Sequence, residues 1–71
     1  MDLDNDLKNK IHRKLLQNFI IDDIKINIID KVVTLKGTVD SYDVKDRIEE
    51  IVLSFLEVEG VNNELALYNE N

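Results

Sequence analysis

The chain has 71 residues, no cysteine, one histidine, and 15 acidic against 9 basic side chains, a formal charge of -6. That length allows one domain with a small core; the missing cysteines rule out a disulfide framework and thiol chemistry, and a single histidine without cysteine argues against a zinc site. The acidic balance argues against nonspecific nucleic-acid binding and against a broad electrostatic grip on anionic lipid.

No apolar run approaches a membrane span. The first residues, MDLDNDLKNK, are acidic and polar, the opposite of a signal peptide. As written, the chain is expected to be cytoplasmic.

Residues 4–19 read as an amphipathic helix. Leu7, Ile11, Leu15 and Phe19 repeat every fourth position, and Leu3 and Leu16 extend the stripe. Asp2, Asp4 and Asp6 sit where the positive end of a helix dipole favours acids. Asp4 with Lys8, and Asp6 with Lys10, are acid-first pairs four residues apart. Lys8, Lys10, Arg13 and Lys14 concentrate basic charge on this helix. A solvated face balanced by nearby acids is the first reading, and a patch for a phosphate or an acidic partner is the second. His12 has no second ligand type within reach in the sequence and is expected at the surface or the boundary of the core. Asn18 to Asp23 forms a short link in which Ile20 and Ile21 are expected to pack in part.

The next stretch, IKINIIDKVVTLKGTV from Ile24 to Val39, carries the clearest pattern. Ile24, Ile26 and Ile28 alternate with Lys25 and Asn27. After Asp30-Lys31, Val33, Leu35, Gly37 and Val39 alternate with Thr34, Lys36 and Thr38. A period of two with β-branched residues signals half-buried strands. A two-residue turn at Asp30-Lys31 pairs Ile29 with Val32, Ile28 with Val33 and Ile26 with Leu35. That register places both apolar sets on one face, as a hairpin requires. Ile29 and Val32 then face away from the core, on either side of Lys31.

Asp40-Ser41 is a helix N-cap pair. Val44, Ile48, Ile51, Val52 and Phe55 trace one helical face, with Lys45, Arg47, Glu49 and Glu50 opposite. This predicts a second helix from about Tyr42 to Leu56, with Arg47 within reach of Asp43. Gly60 suits a chain reversal. Val61 to Tyr68 alternates again as a third strand, with Val61, Asn63, Leu65 and Leu67 on one face, and residues 69–71 are expected to fray. The expected fold is therefore α+β in the order α-β-β-α-β. A small three-stranded sheet carries both helices on one face, in a single domain spanning residues 1–71.

Nearly the whole chain resembles the BON domain, named for bacterial osmotically induced and nodulation proteins. The resemblance lies in the first helix with Leu7, Ile11 and Leu15, and in IKINIIDKVVTLKGTVDS. It continues through the second helix and the tail from Glu57-Val58 through VNNELAL. Gly37 falls on the glycine of the family's second strand, and Asn63 and Leu65 on its asparagine and leucine near the last strand. Two positions depart. Lys31 stands where the family usually has a hairpin glycine, and Glu57 where it favours a glycine before the valine matched by Val58. The resemblance implies binding to phospholipid surfaces or contacts within envelope proteins, channels and haemolysin-like proteins, sometimes beside regulatory nucleotide-binding modules. It carries over no catalytic residue.

No catalytic residue, cofactor site or metal site is expected. Asp22-Asp23 and Glu49-Glu50 are adjacent carboxylates, but neighbours on a helix or strand point to different places, and no nucleophile-base pair accompanies them. The signatures of RNA binding, a GxxG loop or an aromatic pair on a strand, are missing. Two readings stay open. The first is a protein-interaction or self-assembly module, because Ile29, Val32, Ile20, Leu53, Leu56 and Tyr42 exceed what a small core hides and a three-stranded sheet leaves an open edge. The second is a phospholipid-surface module that dips Ile29 and Val32 into an interface beside Lys31. The candidate contact surface is Ile29, Lys31 and Val32. Gly37, expected to let a helix lie tight on the sheet, and Gly60 have structural roles.

Overall fold

The computed structural model describes residues 3–19 and 23–68. Expectations for Asp2, for Ile20, Ile21 and Asp22, for residues 69–71, and for the side chains of Leu3 and Asp4 lie outside the described residues. The chain folds as α1 (Leu3–Asn18), β1 (Lys25–Ile29), β2 (Val32–Val39), α2 (Tyr42–Leu53) and β3 (Gly60–Leu67). This is the expected α+β order.

The sheet order is β1-β2-β3, so β2 is central. It pairs antiparallel with β1 and parallel with β3. A parallel neighbour requires a crossover, and α2 supplies it. Both helices contribute to one core: Leu7, Ile11 and Leu15 from α1, Ile48 and Val52 from α2, and Ile26, Ile28, Val33, Leu35, Val39 and Leu65 from the sheet. Among the described residues the core holds no buried polar or charged residue. Leu16 departs from the expected stripe and is half exposed. It lies one position past Leu15, about 100° around the helix, and so stands on the rim of the buried arc.

The hairpin has the register read from its pattern: Ile26 faces Leu35, Ile28 faces Val33, and Ile29 faces Val32. Asp30 and Lys31 both adopt positive φ, 50° and 67°. That is the primed two-residue turn whose twist matches the flanking strands, formed here without glycine. Ser41 caps α2 in an extended conformation, and its side chain accepts a hydrogen bond from the Val44 amide at 3.2 Å. Arg47 pairs with Asp43 at 3.0 Å. The helix stops at Leu53, where Ser54 forms the C-cap and its hydroxyl donates back to the Ile51 carbonyl. Periodicity carried the expected end on to Leu56, because Phe55 still packs against the core from outside the helix.

Gly37 has φ 138°, a region that side chains rarely adopt. A Cβ there would lie 2.7 Å from the Asp23 carbonyl oxygen and 2.9 Å from the Ile24 Cα. The glycine therefore makes room for the backbone leading into β1, where a helix was expected. The ladder with β1 ends at Lys25 and Lys36. Beyond it, the Asp23 carboxylate accepts hydrogen bonds from the Thr38 amide at 3.4 Å and the Thr38 hydroxyl at 2.8 Å. Gly60 is different: a Cβ would only touch the Val32 side chain at 3.9 Å, an ordinary contact. Gly60 already lies in β3, and the reversal is made by residues 54–59. Gly37→Ala is expected to lower stability by about 2 kcal/mol or more through backbone strain and collision. An unchanged urea midpoint would contradict this reading.

Candidate functional site

With both helices on one side, the other face of the sheet is open. It presents Lys25, Asn27 and Ile29 from β1, then Val32, Thr34 and Lys36 from β2, and Asn62, Glu64 and Ala66 from β3. Its middle is polar. Asn62 donates to the Thr34 hydroxyl at 3.3 Å, and Lys36 approaches Glu64 at 4.0 Å. Its hairpin end is apolar. Ile29 is 64% exposed, while Val32 is half-buried between Ile29 and Gly60. Lys31 is exposed in the turn.

The hairpin tip does not stand alone. The Glu59 amide donates to the Lys31 carbonyl at 2.8 Å, which brings the loop after α2 to the same end of the molecule. That loop carries Leu56, which is fully exposed, and the last turn of α2 carries Leu53, 47% exposed. The structure thus gathers Ile29, Leu53 and Leu56 at one end of the fold, together with Lys31. Tyr42, also an apolar surplus in the sequence, starts α2 and stands at the opposite end from the Leu53 turn.

A second feature runs along β1. A groove of about 470 Å³ is lined by Lys8, Asn9 and His12 of α1 and by Ile24, Lys25, Ile26 and Asn27. Lys25 and Asn27 face the open side of the sheet and Ile26 faces the core, so a groove touching all three follows the strand's outer edge. Sequence spacing placed Lys8 and His12 on one helix, and nothing in it signalled Lys25 across the groove. Lys10 turns elsewhere, to Glu57 at 3.3 Å, instead of to Asp6.

Asn63 occupies a core-facing position and is satisfied there. Its side-chain amide donates to the Lys45 carbonyl at 3.0 Å, and its carbonyl oxygen accepts from the Leu65 amide at 3.3 Å. It ties α2 to β3 where an aliphatic residue would only pack. Glu49 and Glu50 follow one another on α2 and diverge. Among the described residues no three His, Asp or Glu side chains gather to hold a metal, and no helix is long and apolar enough to cross a membrane.

Comparison with known families matches residues 3–68 to the BON domain. The chain belongs to the BON domain family. The match takes in all five elements and both features just described. BON domains are a family of non-catalytic binding modules, so this chain is a small binding or interaction module. A search of curated proteins finds no match to this BON domain.

The Lys10–Glu57 pair matters to the apolar end because it ties the Leu56 loop back to α1. The Glu57 carboxyl is held below its ordinary value of 4.5, first by a hydrogen bond from its own backbone amide and then by the Lys10 side chain. A lowered carboxylate pKa contributes stability that is complete above the unfolded value and is lost as pH falls below 4.5 through the folded value. The Glu57 side chain in the folded protein is expected to titrate below 4.5 by NMR. Lys10→Met is expected to raise the midpoint only in part, since the backbone bond remains. A midpoint at or above 4.5 in the wild type would contradict the pairing.

Proposed function

We propose that this BON domain is a non-catalytic module that makes a protein–protein or self-assembly contact through its apolar hairpin tip, with the sheet edge beside it. The observation that carries this reading is the exposure of Ile29 (64%) and Leu56 (100%) at the end where Lys31 and Glu59 are joined. Exposed aliphatic side chains gathered at one end of a fold, rather than scattered singly, mark a contact surface. Ile29, Lys31 and Val32 form the contact on the hairpin side, with Leu53 and Leu56 extending it.

Phospholipid-surface binding is the second reading. It is favoured by the placement of the Lys31 ammonium beside exposed Ile29, which suits a shallow interfacial insertion. The acidic net charge of -6 weighs against it.

Both readings are tested on one pair of proteins. Ile29→Ser with Leu56→Ser is expected to stay folded, within about 0.5 kcal/mol of the wild type, because both sites are exposed. In sedimentation equilibrium the wild type is expected to gain apparent mass with concentration and the variant to remain monomeric. A folded variant that associates like the wild type would remove the tip from the contact. Wild-type monomer that floats with anionic or zwitterionic vesicles, and loses this in the variant, would replace the protein contact with the lipid one.

A further inference from the structure

We propose that the outer edge of β1 is a strand-addition site for an extended acidic segment of a partner protein. This rests on the interaction-module reading and gives it a second surface with a defined ligand chemistry.

In a two-residue primed turn the flanking residues, Ile29 and Val32, form a hydrogen-bonded pair. Antiparallel pairs alternate, so Asn27 with Thr34 and Lys25 with Lys36 are also hydrogen-bonded. Ile26 and Ile28 are not, and their amides and carbonyls point outward from the sheet. Among the described residues β1 has a strand neighbour on one side only. Outward-pointing groups of this kind are a template for another strand.

The chain carries a net charge of -6, yet the groove along this edge is lined by Lys8, His12 and Lys25, with Asn9 and Asn27 and no acid among the described residues. Lys8 and Lys25 stand on the two walls, one on the helix and one on the strand. An incoming strand therefore runs between two cations while it bonds to the β1 backbone. Electrostatic complementarity of this kind selects an acidic partner and speeds its encounter. A second copy pairing through the same edge would bring two basic walls together, which selects against self-pairing here.

The test is a titration of the full chain, labelled with ¹⁵N, with a short blocked peptide of alternating glutamate and valine. Three comparisons accompany it: the lysine-valine counterpart, the glutamate peptide with its backbone nitrogens methylated, and inorganic phosphate. The glutamate peptide is expected to shift the Ile26 and Ile28 amides, and the lysine peptide to leave them unmoved. Backbone methylation is expected to abolish binding. Lys8→Glu with Lys25→Glu, both at exposed sites, is expected to weaken binding about tenfold or more. The proposal is overturned if the glutamate peptide shifts neither amide, if the methylated peptide binds as well, or if phosphate alone shifts the same residues equally. Failure here with tip-dependent association intact removes the edge site and leaves the tip reading. Edge binding that survives in Ile29→Ser with Leu56→Ser, in a chain that never self-associates, sustains the edge and removes self-assembly through the tip.

Discussion

The structure depends on the alternation of β2. This strand pairs on both sides, and a shift of one residue would exchange its buried and open faces along its whole length. Val33, Leu35 and Val39 reach the core, and Val32, Thr34, Lys36 and Thr38 fill the open face. Every other placement follows. β1 is fixed by the turn, β3 by the crossover, and the helices by the only apolar face the sheet offers. Gly37 shares that face, and its backbone conformation lets the chain before β1 pass within contact distance. The Asp23–Thr38 hydrogen bonds then secure the crossing.

The same arrangement determines what is left over. Placing both helices on one face leaves the other without cover, and three strands leave two outer edges. Ile29 is exposed because its parity is opposite to that of Ile28, and none of the described elements returns to that side. Leu56 is exposed because the chain must leave α2, reverse, and enter β3 beside Val32. These two residues are distant in sequence, yet the Glu59–Lys31 hydrogen bond puts their segments at one end. The surfaces proposed for binding are thus by-products of how the core of this BON domain is closed.

The hairpin was legible in the sequence because strand parity and turn length each imply the same register. The helices were legible from their apolar stripes, and the cap of α2 from Ser41. Other features were not. Strand order depends on where α2 delivers β3, and no local pattern in VNNELAL encodes its partner. The positive φ of Lys31 departs from residue preference and is imposed by the strands on either side. The role of Gly37 was visible as a glycine in a strand, but the neighbour it accommodates, Asp23, is fourteen residues away. At the apolar tip, Ile29 and Lys31 were read from parity, whereas half of Val32 is covered by a strand whose position was not known. The groove was the least legible, since Lys8, His12 and Lys25 come together only when α1 lies along β1.

The free edge of β1 is measured most directly by native-state hydrogen exchange of the β1 amides in the isolated chain. Alternation is expected: slow exchange at Asn27 and Ile29, whose amides bond to β2, and fast exchange at Ile26 and Ile28, whose amides point outward. Protection of Ile26 and Ile28 equal to that of Asn27 would contradict it, because the edge would then already be covered.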